Sequence, residues 1–173
     1  MLVFIDFEAS SLSDTSYPIE VGWVWEDGRE EAHLVRPAPG WTDWDRKAEA
    51  IHGITREQLD LEGEPHDVVA RRMVEQLTGH DLRASAPSWD GKWLSALLRA
   101  AALPRHALRL KDSDDLFRDL ICAHHAGLDR AAQDERLAAV LAETEESGQP
   151  AHRALADARA EWQRWRRVVS ALA

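Results

Sequence analysis

Residues 4–8 read FIDFE. The short apolar run before Asp6 is rich in β-formers, which makes 2–6 a central strand. Successive side chains on a strand face opposite ways. Asp6 and Glu8 therefore share one face, and Ile5 and Phe7 the other. Two carboxylates on one face repel each other and resist burial; solvent, a basic partner or a divalent cation relieves them. A solvated strand end is the ordinary alternative, so the rest of the chain has to decide.

After this strand, SSLSDTSYP is polar and turn-rich, a loop. IEVGWVWED (19–27) and EAHLVRP (31–37) read as a hairpin of two strands turned by EDGRE. PAPGWTDWD is a loop, and 45–61 holds short helical pieces around IHGIT. Residues 66–80 carry a helical apolar stripe with Gly79 as its stop. LRASA (82–86) and ALRLKD (107–112) are further strands, with a helix over 90–102 between them. Helical periods follow over 114–125 and 129–143; SGQP (147–150) breaks the chain, and 151–172 is a long amphipathic helix. Strands first, then strands alternating with helices, predict one α/β domain over 1–173: a mixed, five-stranded sheet flanked by helices.

The chain has 173 residues, enough for one sizeable core, and a formal net charge of −10. That charge excludes a broad basic surface for polyphosphate backbones, so contact with nucleic acid has to be local or carried by cations. A single cysteine, Cys122, excludes an internal disulfide and fits a reducing compartment. The start MLVFIDFE lacks a basic n-region, and no run approaches a membrane span. A cytoplasmic location is the expectation.

Further acids bear on Asp6 and Glu8. SWDGKWL (88–94) puts Asp90 where a strand gives way to a helix, a usual place for site residues. Alone, Asp90 reads as a helix N-cap. In AHRALADARA (151–160), His152 and Asp157 are five apart, about 140° around an ideal helix, so they converge only if His152 precedes the first turn. Alone, they read as surface residues. Taken together, carboxylates suit hard divalent cations such as Mg²⁺. Two such ions can clamp both oxygens of a phosphodiester displacement, and a histidine can take the proton from the attacking water. Trp89 and Trp93 are core residues or stacking platforms for bases. Lys92, beside Asp90, is a candidate phosphate contact, and most arginines of the last helix read as a solvated face.

DFEASSL, the segment around Asp90, and HRALAD resemble, in order and approximate spacing, the three exonuclease motifs of the DEDDh (DnaQ-like) 3′–5′ exonucleases. IHGIT and YPIEVGWV resemble further segments of that family, so the likeness spans almost the whole chain. The resemblance implies a ribonuclease H-like fold and a 3′–5′ exonuclease acting on DNA or RNA with a free 3′ end. It implies that Asp6, Glu8, Asp90 and Asp157 hold two Mg²⁺ or Mn²⁺ ions, with His152 as general base. Glu8 and Leu12 would meet the 3′-terminal nucleotide, and His52 either lines its pocket or shapes its own turn. Several branches of the family are dimers, so a homodimer is an expected assembly.

The chain departs from the family in two places. ASSL stands for a Thr-Thr-Gly-Leu-like run, and Ala86 and Trp89 stand for an Asn and a Phe of the second motif. Two other readings stay open: a hydrolase of dinucleotides or short oligomers, and a non-catalytic polymerase-associated binding module.

Overall fold

In this computed structural model, which describes residues 1–144 and 151–173, β1 (Leu2–Ala9) runs through the middle of a six-stranded sheet. It pairs antiparallel with β2 (Pro18–Trp25), which pairs antiparallel with β3 (Glu30–Arg36). On its other side β1 pairs parallel with β5 (Asp81–Ala84), and β5 with β6 (Leu110–Asp112). The sixth strand is β4, only Glu64–Pro65, parallel to the end of β3. The sheet order is β4-β3-β2-β1-β5-β6. The expected five strands are thus all present, and the count is corrected by β4, too short for any sequence period to reveal.

The helices are α1 (Arg46–His52), α2 (Arg56–Glu62), α3 (His66–Leu77), α4 (Pro87–Ala100), α5 (Ser113–His124), α6 (Arg130–Thr144) and α7 (Ala154–Ala171). The short helical pieces expected around IHGIT are α1 and α2: Ile51 and His52 end α1, and Thr55 precedes α2. Gly53 closes α1 in the left-handed region (φ 71°), and Thr55 caps α2 through the Gln58 N–H at 3.1 Å. α4 starts earlier than its apolar period because Pro87 fits the first helical position. α7 begins at Ala154 rather than at 151. The predicted break at 147–150 lies outside the described residues. No helix among the described residues is long and apolar enough to cross a membrane.

The alternation of β1 sorts the core. Val3, Ile5 and Phe7 pack with Trp23, Met73, Trp93 and Leu97 of β2, α3 and α4. Leu2 and Phe4 pack with Phe117, Ile121 and Val168 of α5 and α7. Asp6 and Glu8 continue this second face toward the start of α7.

Gly22 lets α7 come close. It lies opposite Asp6 in the β1–β2 register. A Cβ there would fall 2.5 Å from Leu155 Cα and 2.7 Å from Ala154 C. Ala154 and Ala158, both buried, keep the helix side of the contact small as well. Gly22→Ala is therefore expected to destabilise the fold by about 1–3 kcal/mol through overpacking. Gly91→Ala, on a helix with nothing within 4 Å, is expected to stabilise it by roughly 0.5–1 kcal/mol. Urea unfolding of the two variants measures both signs.

Candidate active site

The C-terminal end of β1 opens into a cavity of about 760 Å³ lined by Asp6, Glu8, Asp90, His152 and Asp157 among others. The five residues singled out for catalysis thus border one space. Within it, Glu8, His152 and Asp157 each offer a ligand atom, and these atoms lie within 4.8 Å of one another. That is the spacing of a set able to hold a metal ion, and His152 stands inside it rather than apart from the acids.

His152 reaches Asp157 because it is not helical. It lies before α7 in the left-handed region, with φ 53°. The Asp157 carboxylate in turn accepts the Ala151 N–H at 2.9 Å, closing the turn. The start of α7 is fixed from β2. Glu20, buried and paired in register with Glu8, accepts two hydrogen bonds from Arg153 Nε and one from its terminal nitrogen at 2.6 Å. It also accepts the Ala154 N–H at 2.9 Å and so acts as a remote helix cap. Sequence reasoning missed Glu20; its only signal was an acid amid the apolar residues of a central strand.

Asp90 is not the N-cap of α4. Ala86 holds that position, and Asp90 lies in the first turn, 2% exposed, with Oδ2 lacking any hydrogen-bond partner. A buried carboxylate oxygen left alone is costly, and Asp90 lines the cavity. Burial pushes the Asp90 carboxyl up to about 7 against the pull of backbone hydrogen bonding at Ala86 and Phe7. Burial, reinforced by Asp157 and Glu20 and opposed by Arg153, pushes Glu8 up to about 7. Asp6 is raised well above the usual carboxylate range by burial and by its acidic neighbours Asp90, Glu8, Asp157 and Glu20. Such a set of like charges short of cations fits a divalent ion.

A smaller cavity of about 380 Å³ adjoins the first, sharing Glu8, Leu12 and His152 and adding Ile51 and His52. Leu12 projects at its mouth, 69% exposed. His52 is buried, and its Nδ1 accepts the Ile54 N–H at 3.0 Å. The structural role of that turn is therefore present. The accepting Nδ1 leaves the proton on Nε2, which is buried without a partner. Burial lowers the His52 pKa, against Glu49 and Glu20, and favours the neutral ring.

The two tryptophans differ in exposure, although both border the larger cavity. Trp93 is core, with Nε1 donating to Ser16 Oγ at 3.0 Å. Trp89 is 37% exposed and lines the larger cavity. The Lys92 ammonium sits 4.9 Å from the Trp89 ring centre and donates to Ser13 O and Ser16 Oγ, so it is held on the loop after β1. Arg153, just before α7, and Arg159 and Arg164 within it are paired with Glu20, Glu30 and Asp114.

No family model matches the chain, and no curated protein matches it. Solved structures do. A zinc-bound complex of E. coli exonuclease I with single-stranded DNA aligns at 18% identity with TM-score 0.68, covering 98% of this chain and 40% of that one. E. coli exonuclease I with a dA16 oligonucleotide aligns at 18% identity with TM-score 0.69, over 98% and 40% of the two chains. A product-bound exonuclease I aligns at 17% identity with TM-score 0.67, over 98% and 43%. The chain thus spans about two-fifths of the length of these structures. The ribonuclease H-like fold implied by the sequence motifs is the fold observed, and exonuclease I is among its structural neighbours.

The raised carboxyls make stability depend on pH. The folded state binds protons that the unfolded state releases, so these groups weaken the metal-free fold as pH rises from the unfolded carboxylate range through about 7. In chelator, Asp6→Asn is expected to melt higher than wild type at pH 8, the advantage shrinking toward pH 5. Mn²⁺ is expected to raise the melting temperature of the wild type more at pH 8 than at pH 6. Thermal melts across this range check both.

Proposed function

We propose that the chain is a metal-dependent 3′–5′ exonuclease of the DEDDh kind, hydrolysing single-stranded DNA or RNA from a free 3′ end to nucleoside monophosphates. The observation that carries this reading is the convergence of Asp6, Glu8, Asp90, His152 and Asp157 on one cavity. It is supported by the fold shared with exonuclease I, and the sequence motifs supply the assignment of each role.

In this reading Asp6, Glu8, Asp90 and Asp157 hold two Mg²⁺ or Mn²⁺ ions. Such ions, when bound, supply Lewis-acid stabilisation of the attacking and leaving oxygens. His152 takes the proton from the water that attacks phosphorus, while the bond to the 3′ oxygen of the preceding nucleotide breaks. Glu8 and the backbone after it meet the terminal nucleotide. Leu12 packs against its base, His52 offers its Nε2 proton, and Trp89 stacks on a neighbouring base. Lys92 serves this group indirectly, by holding the Leu12 loop and backing the Trp89 ring. The acidic balance of the chain makes cations necessary for a polyanion to approach as well as for the chemistry.

The test is degradation of 5′-labelled single-stranded DNA and RNA with Mg²⁺ or Mn²⁺, and with chelator. A metal-dependent ladder shrinking from the 3′ end is expected, and no cutting of circular single strands. His152→Ala is expected to lower kcat by about 10²–10⁴-fold, the range of a general base. Metal-dependent cutting of the circles would refute the exonuclease reading.

A further inference from the structure

Asp43 lies between β3 and α1, outside the catalytic acids. Four hydroxyls converge on its carboxylate. Ser10 Oγ at 2.9 Å and Ser11 Oγ at 2.5 Å donate to Oδ2; Ser13 Oγ at 2.7 Å and Thr15 Oγ1 at 3.4 Å donate to Oδ1. Three of these hydroxyls also accept: Ser10 Oγ takes the Tyr17 N–H at 3.2 Å, Ser11 Oγ the Ser13 N–H at 3.0 Å, and Ser13 Oγ the Thr15 N–H at 3.2 Å. A hydroxyl has one proton to give, and an ionised carboxylate only accepts. Asp43 takes the protons and leaves the lone pairs to the amides of the loop. Residues 10–16 are thereby shaped around a single side chain.

The same segment grips the loop through backbone as well. The Asp45 N–H donates to Ser10 O at 3.0 Å, and the Asp45 side chain caps α1 through the Lys47 N–H at 2.8 Å. The loop supplies Leu12 to the smaller cavity, and α1 supplies Ile51 and His52. Asp43 therefore joins the two walls of that cavity. Lys92 and Trp93 hold the far end of the loop on α4, the helix of Asp90. Ser11 stands where the family's run carries glycine, so this clamp is tied to the ASSL departure of this chain.

We propose that Asp43 is a positioning residue for the 3′-terminal nucleotide: by gathering Ser10, Ser11, Ser13 and Thr15 it sets the spacing between the Leu12 loop and α1, and so how firmly that nucleotide seats over the catalytic acids. The inference rests on the exonuclease reading. Asn at position 43 would put an N–H₂ donor where two hydroxyls now donate, releasing one half of the clamp.

The experiment is steady-state kinetics of Asp43→Asn and of the double variant Ser11→Ala/Ser13→Ala on a single-stranded oligonucleotide with Mn²⁺. Thermal melts and nucleoside monophosphate binding, read from tryptophan fluorescence, accompany it. KM and the product Kd are expected to rise about tenfold, the scale of a lost charge-assisted hydrogen bond, with kcat within about twofold. A loss of fold alone would lower active enzyme and hence kcat, leaving KM in place. An active wild type whose variants keep its KM, or lose kcat at unchanged KM, overturns the role of Asp43 and leaves the exonuclease reading intact. If Asp43→Asn does not fold, the serine variant decides. A wild type that neither cleaves nor binds the monophosphate overturns both.

Discussion

Mutual repulsion among carboxylates at the end of β1 is the constraint around which this molecule is arranged. Asp6 and Glu8 are carried there by the same strand alternation that puts Leu2 and Phe4 into the core. Asp90 and Asp157 are added from the first turns of two helices on either face of the sheet. Among the described residues no ion pair neutralises Asp6 or Asp90, and one oxygen of Asp90 is buried alone. A fold does not gather such charges for stability, because each raises the cost of ionising the next. Their convergence makes sense as half of an electrostatic unit whose other half is a cation.

Holding that unit together falls to groups that never touch it chemically. Gly22 removes the side chain that would keep α7 off the sheet. Glu20 then fixes where the helix starts, by pairing with Arg153 and capping Ala154. These two positions on β2, opposite Asp6 and Glu8, determine where Asp157 and His152 come to rest. The loop after β1 is fixed in the same manner from a distance, by Asp43, Lys92 and Trp93.

The strands, the helical stripes and the five catalytic candidates were legible in the sequence because each rests on a local period or a short motif. Ile5 and Phe7 follow their alternation into the core opposite the two acids. The bland reading of His152 and Asp157 came from ideal helix geometry; that geometry does not apply, because the helix starts two residues after His152. The N-cap reading of Asp90 gave way because Pro87 moved the helix start upstream. Glu20, Gly22 and Asp43 were invisible for one shared reason. Their roles depend on partners from distant segments, such as Glu20 with Arg153, and no local period encodes such a pairing. β4 escaped because two residues carry no period at all.

The central claim is that the acids of β1, α4 and α7 form a cation site. Anomalous diffraction from crystals soaked in Mn²⁺ tests it most directly. The account predicts anomalous peaks in the larger cavity, within bonding distance of carboxylates from Asp6, Glu8, Asp90 and Asp157. A well-ordered cavity without such a peak, its acids satisfied by water or basic side chains instead, would contradict it.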